Sequence, residues 1–138
     1  MLKRDYLIKQ LEEFGKVLAL IIGFKNKQEP DEMERLINEA VSKFTNTEIE
    51  FVEELNTEQI VQLLTDKEKL NDEQLKIIAD LLFEKAAYYQ LLNPVKEQEA
   101  INCYKKALHI YLFLKNNATL AYSLDTHYKI EIIEKMGL

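Results

Sequence analysis

The chain of 138 residues contains three glycines, two prolines, one cysteine and no tryptophan. Glycine and proline punctuate turns, so so few of them imply few turns and long elements, which means helices. A lone cysteine, Cys103, cannot close an internal disulfide, and nothing in the sequence asks for an oxidising compartment. Gly15, Gly23 and Gly137 stand isolated, so there is no glycine-rich loop to cradle a phosphate. The longest mostly apolar run covers residues 17–24, far short of the roughly 20 residues of a membrane span. Lys25, Asn26, Lys27 and Gln28 follow it, which is no secretory cleavage site. These absences predict a soluble, cytoplasmic protein without a membrane partner.

Basic charge is also short. The net charge is −6 and it is uneven: residues 29–75 carry a net of −10, residues 1–28 a net of +3, and residues 76–138 a net of +1. An acidic middle argues against nucleic acid as a partner, since phosphate binding needs a basic face. It reads as a solvated acidic surface, or alternatively as a patch for a basic partner.

What the sequence does have is apolar periodicity. Hydrophobic residues make up 47% of the chain, the level of an ordinary globular protein. At this length one domain is expected, able to bury roughly 68% of its unfolded surface. That domain, residues 1–138, divides into N-terminal helices over 1–66 and a hairpin plus a capping helix over 70–136.

The hairpin, residues 70–114, is the stretch around which the rest is organised. Its first arm carries Leu75, Ile78, Ala79, Leu82, Ala86 and Tyr89 at three- and four-residue steps. Asn71 is placed to cap it, Gln74 to reach back to the cap amide, and Leu70 and Leu75 to form a hydrophobic staple. The arm stops at Asn93, because Pro94 disfavours helix in the residue before it, and Pro94 suits the first turn of the next helix. The second arm, residues 96–115, carries Ala100, Tyr104, Ala107, Tyr111 and Leu114 as one stripe, widened by Ile101, Leu108 and Leu112.

A first helix over 3–24 has a heptad-like seam of Leu7, Leu11, Phe14, Leu18 and Ile21, with Arg4, Asp5, Lys9, Glu12, Glu13 and Lys16 as its polar face. Its C-terminal half has almost no polar face, which predicts a central core helix. A second helix over 31–44 presents Met33, Leu36, Ile37, Ala40, Val41 and Phe44 to the core and lies antiparallel to the first. Residues 45–54 are either a crossing loop or another helical turn. Leu55-Asn56-Thr57-Glu58-Gln59-Ile60 then echoes Leu70-Asn71-Asp72-Glu73-Gln74-Leu75, one staple-and-cap device used twice. The last helix, over 119–136, has Leu120, Leu124, Tyr128, Ile132 and Met136 as its packing face, and Gly137 as its stop.

Ala100, Tyr104 and Ala107 together resemble the second helix of a tetratricopeptide repeat. The match departs from the repeat pattern at the turn before Ala100, which is two residues longer, and at Lys85, which takes an apolar position. More of the chain, from Lys3-Arg4-Asp5-Tyr6-Leu7-Ile8 through residues 17–24 to the two Leu-Asn caps, is similar to a family of uncharacterised bacterial helical proteins. That resemblance implies tetratricopeptide-like C-terminal helices, a cytoplasmic setting and no assigned activity. The expected fold is all-α, a tetratricopeptide-like stack of antiparallel hairpins with five to seven helices.

Chemistry is sparse. His127 and Glu131 stand one helical turn apart, but a single such pair reads as surface or packing rather than metal ligation, and His109 is distant. No Glu-x-x-His pair marks a di-iron site. Cys103 beside Tyr104 reads as a small packing residue. Tyr88, Tyr89, Tyr104, Tyr111, Tyr122 and Tyr128 cluster late, and a tyrosine-lined groove is the best binding candidate among them. No catalytic, cofactor or metal residues are assigned. The sequence therefore predicts a non-enzymatic protein–protein interaction or scaffold module with a protein or peptide partner. The alternative is a small-ligand-binding or enzymatic helical domain. Extra apolar faces on the first and last helices predict a homodimer through one of them.

Overall fold

The computed structural model describes Leu2 to Leu138, with side chains from Asp5 onward, so Lys3 and Arg4 of the sequence reading lie outside the described side chains. Described residues form seven α-helices and no strands: α1 (Leu2–Asn26), α2 (Pro30–Thr45), α3 (Ile49–Glu54), α4 (Ile60–Asp66), α5 (Asp72–Leu91), α6 (Glu97–Asn116) and α7 (Leu124–Glu134). The all-α expectation holds. A 3₁₀ turn, Thr57–Gln59, precedes α4.

The hairpin is built as its sequence demands. Asn71 Oδ1 accepts from the Gln74 amide at 2.8 Å, and Gln74 Oε1 accepts from the Asn71 amide at 3.0 Å. Two orphan donors at the start of α5 are thus satisfied reciprocally. The stripe of Ala100, Tyr104, Ala107, Tyr111 and Leu114 on α6 is buried throughout, and α6 packs along α5 more extensively than any other pair of helices meets. Pro94 differs from expectation: it sits in the turn between α5 and α6, joined to Asn93 by a cis peptide bond, and α6 begins three residues later. The echo at Leu55-Asn56 differs too. Asn56 Oδ1 accepts from Glu58, one residue earlier in the turn than Asn71 does, so it tightens a 3₁₀ turn and forms no capping box.

α2 matches its pattern. Pro30 opens it, Asp31 and Glu32 lie in its first turn where the helix dipole favours acids, and Asn46 closes it in the left-handed region at φ 55°. Met33, Ile37, Ala40, Val41 and Phe44 are buried. Residues 45–54 prove to contain a helix, α3, which buries Ile49 and Val52.

Two expectations are corrected. The central helix is α5, not α1. From Ile77 to Tyr88 every residue of α5 is buried, because α6 covers one side and α1 and α2 the other. α1 packs chiefly on α2 and α5, with Phe14 and Ile21 buried and Leu11, Ala19 and Leu20 facing outward. The second correction concerns the last helix. It starts at Leu124, with Ser123 as the cap, and its packing face is the opposite of the one its apolar stripe predicts. Thr126, Lys129, Ile130 and Ile133 are buried, and Leu124, Tyr128 and Ile132 are exposed. One core cluster nevertheless runs from Phe14 to Ile133 and includes residues of both halves of the chain.

Removing the Asn71 cap is expected to cost about 1 kcal/mol. Chemical denaturation of Asn71→Ala should show a lowered midpoint, and Asn56→Ala a smaller shift, because Asn56 holds a single amide and no reciprocal bond.

Candidate functional site

An all-round buried helix should be apolar all round. α5 is not: Asp80, Glu84 and Lys85 are 1%, 2% and 3% exposed. Each charge is met by a different neighbour. Asp80 Oδ1 accepts from the Tyr111 hydroxyl of α6 in a short hydrogen bond, and from Lys129 Nζ of α7 at 3.2 Å. Its Oδ2 accepts from Lys76 Nζ, one turn back on α5, at 2.8 Å. Asp125 closes the cluster, 3.2 Å from Lys129 and 4.0 Å from Lys76. Glu84 pairs with Lys25 at the end of α1, at 3.4 Å. Lys85 points the other way, 3.3 Å from Glu34 of α2 and 3.8 Å from Glu53 of α3, with its ammonium over the rings of Tyr88 and Tyr89.

The titration behaviour follows from this burial. Desolvation raises the Glu84 carboxyl above its ordinary range, and Lys25 and Lys129 only partly oppose it. Burial pulls the Lys129 ammonium down, but Asp80 and then Asp125 outweigh that effect and raise it. Burial, reinforced by Asp80, holds the Tyr111 hydroxyl well above its usual value. The Cys103 thiol, buried on α6, is pushed up to about 12 chiefly by desolvation, which leaves little thiolate at neutral pH.

A cavity of about 370 Å³ opens at the Asp80 cluster. It is lined by Leu11, Phe14 and Leu18 of α1, by Leu120 and Ala121 of the α6–α7 loop, and by Lys76, Asp80 and Asp125. Asp80 already accepts from three chain donors, two on Oδ1 and one on Oδ2, which leaves at most one carboxylate lone pair for a guest.

The second surface feature is on α7. Leu124, Tyr128 and Ile132 recur every four residues and are 67%, 55% and 47% exposed; Leu120 in the loop before the helix and Met136 beyond its end continue the spacing in sequence and are 100% and 38% exposed. Leu120 belongs to both features, since it also lines the cavity.

Residues singled out from sequence fall into place as follows. His127 Nε2 lies 2.9 Å from Glu131 Oε1, and its Nδ1 faces the Tyr122 hydroxyl at 3.3 Å. Among the described residues, no group of three or more His, Cys, Asp and Glu side chains is arranged to hold a metal ion. No helix of the described residues is long and apolar enough to cross a membrane. The tyrosines do not share a groove. Tyr89 of α5 donates to Glu53 of α3, and Tyr104 and Tyr111 of α6 donate to Gln90 and Asp80 at separate points along α5, while Tyr6 and Tyr128 face outward on separate helices. Sequence reasoning missed the buried charges. Lys85 stood out as a charge at an apolar position, and Asp80 and Glu84 carry the same signal within the apolar arm. No protein family, curated protein or solved structure matches the chain.

Two outcomes test the cluster. Asp80→Ala strands Lys129 without its main partner and should cost about 3 to 5 kcal/mol in urea denaturation, with Asp80→Leu/Lys129→Met recovering most of it. Glu84 tests the sign of the pH effect. Its folded pKa lies above the unfolded 4.5, so its stabilising contribution is complete below that pH and is lost as pH rises through the folded value. Glu84→Gln should therefore gain stability relative to the natural chain over that rise, and show no gain at lower pH.

Proposed function

We propose that the protein is a non-enzymatic helical interaction module, and that its partner-binding face is the outer face of α7. One observation carries the reading: three large apolar side chains of α7, Leu124, Tyr128 and Ile132, stand exposed at four-residue steps while the opposite face of the same helix is buried. Exposed apolar patches of this extent mark interaction sites. Anchors at helical spacing are the pattern by which one amphipathic helix recognises another. The steps of four also set the geometry. Each advances the row by about 40° around the helix, so the ridge is slanted, and such ridges nest with a partner helix at a crossing angle near −50°.

The resemblance to tetratricopeptide repeats supports the same reading, because in such a stack the next helix pair covers the face that α7 leaves open. A protein or peptide partner fits better than nucleic acid, given the acidic middle of the chain. The single buried cysteine fits a cytoplasmic setting. A homodimer is one assembly this face admits. A second reading, a small-ligand site, is favoured by the cavity beside Asp80, whose lining combines apolar and charged side chains. It ranks lower because those charges already neutralise one another.

A photo-crosslinking residue placed at Ile132 should capture a protein partner in cells, and the same residue at the exposed Leu20 of α1 should not. Leu124→Glu should abolish capture while changing stability by no more than about 0.5 kcal/mol, as expected of an exposed site. An Ile132 probe that captures nothing overturns the reading.

A further inference from the structure

Resting on the small-ligand reading of the cavity beside Asp80, we propose that this cavity takes a small amphipathic cation, a primary amine on an apolar body, with the Glu73 carboxylate as its anchor. The α7 face plays no part in the argument. Size is the first reason. An apolar cavity of about 150 Å³ suffices to hold benzene. This one has about 370 Å³, room for a ring and a short chain ending in an ammonium. Leu11, Phe14, Leu18 and Leu120 supply its apolar surface.

Charge selects the guest. Lys76, Asp80, Asp125 and Lys129 neutralise one another, two ammoniums against two carboxylates. Glu73 lines the same cavity and stands outside that balance. It shares one face of α5 with Lys76 and Asp80, at i, i+3 and i+7. Lys76 is engaged by Asp80 at 2.8 Å and Asp125 at 4.0 Å, so half-buried Glu73 has no ion-pair partner among the described residues. The cavity therefore carries one uncompensated negative charge. A guest carboxylate is repelled by it, a neutral guest leaves it unpaired, and an ammonium meets it.

Gly15 is the third reason. Glycine destabilises a helix interior, and Gly15 lies midway along α1. A Cβ at Gly15 would meet no atom of the chain within 4 Å, so no packing contact asks for glycine there. Gly15 also lines the cavity, and the missing side chain leaves that space to a guest.

The probe is 2-phenylethylamine, an ammonium at neutral pH as a lysine side chain is. Titration calorimetry on the full chain should show it binding about tenfold tighter than 2-phenylethanol, the gain of one hydrogen bond to a charged group. The anion 3-phenylpropionate should not bind. Glu73→Gln should lower the amine to the level of the alcohol and leave the alcohol unchanged. Gly15→Leu should abolish binding of both, with helicity retained. Equal binding of amine and alcohol, or binding of the anion, overturns the ligand class and leaves the small-ligand reading standing. Binding of none of the three overturns both. An amine that still binds Gly15→Leu, or is still preferred by Glu73→Gln, overturns the assignment of site and anchor.

Discussion

The fold depends on the requirement that three charges buried on one helix all be met. Asp80, Glu84 and Lys85 lie within six consecutive residues of α5, where water cannot reach them. An unpaired buried ion costs several kcal/mol, a large share of a small domain's total stability. Their partners come from Lys25 on α1, Glu34 on α2, Glu53 on α3, Tyr111 on α6 and Lys129 on α7. Five helices are thereby fixed in rotation and register against a sixth. Apolar contact alone is tolerant of sliding and rotation, since any large aliphatic fills a similar hole. Ion pairs with a donor and an acceptor at stated distances are not tolerant. The charges therefore define which arrangement of helices is adopted, while the core from Phe14 to Ile133 supplies the bulk of the burial.

Where local pattern and tertiary demand agree, the sequence is legible. The Asn71 cap, the core face of α2 and the stripe on α6 are all local devices, set by spacing within one element. The failures lie where a long-range pair overrides the pattern. α1 has the longest apolar run, yet it sits at the edge, because the centre goes to the helix whose charges need partners on every side. The apolar stripe from Leu120 to Met136, which overruns α7 at both ends, is longer than the set of Ile130 and Ile133, so counting apolar residues selects the wrong face. Lys129 decides otherwise. Its position opposite Asp80, 49 residues earlier, is invisible to any window along α7. The exposed face of α7 is visible in the sequence as a stripe, which local pattern alone turns inward.

Placement of the ridge then follows from the charge. Turning α7 so that Leu124, Tyr128 and Ile132 faced the core would carry Lys129 away from Asp80 and leave Asp80 with Tyr111 and Lys76 alone. It would also expose Ile130 and Ile133, now at 3% and 1%. Full burial of a large aliphatic side chain is worth about 1.5 to 3 kcal/mol, so the exchange of one apolar face for another nearly balances. Loss of a buried ion pair's partner adds a penalty of about 3 to 5 kcal/mol on one side only. The balance tips to the observed rotation, and the larger apolar face is left outward. Within one chain that face has no cover; a partner helix can supply it without disturbing the Asp80 cluster. The buried network and the exposed ridge are two sides of one helix, and the first is the physical cause of the second.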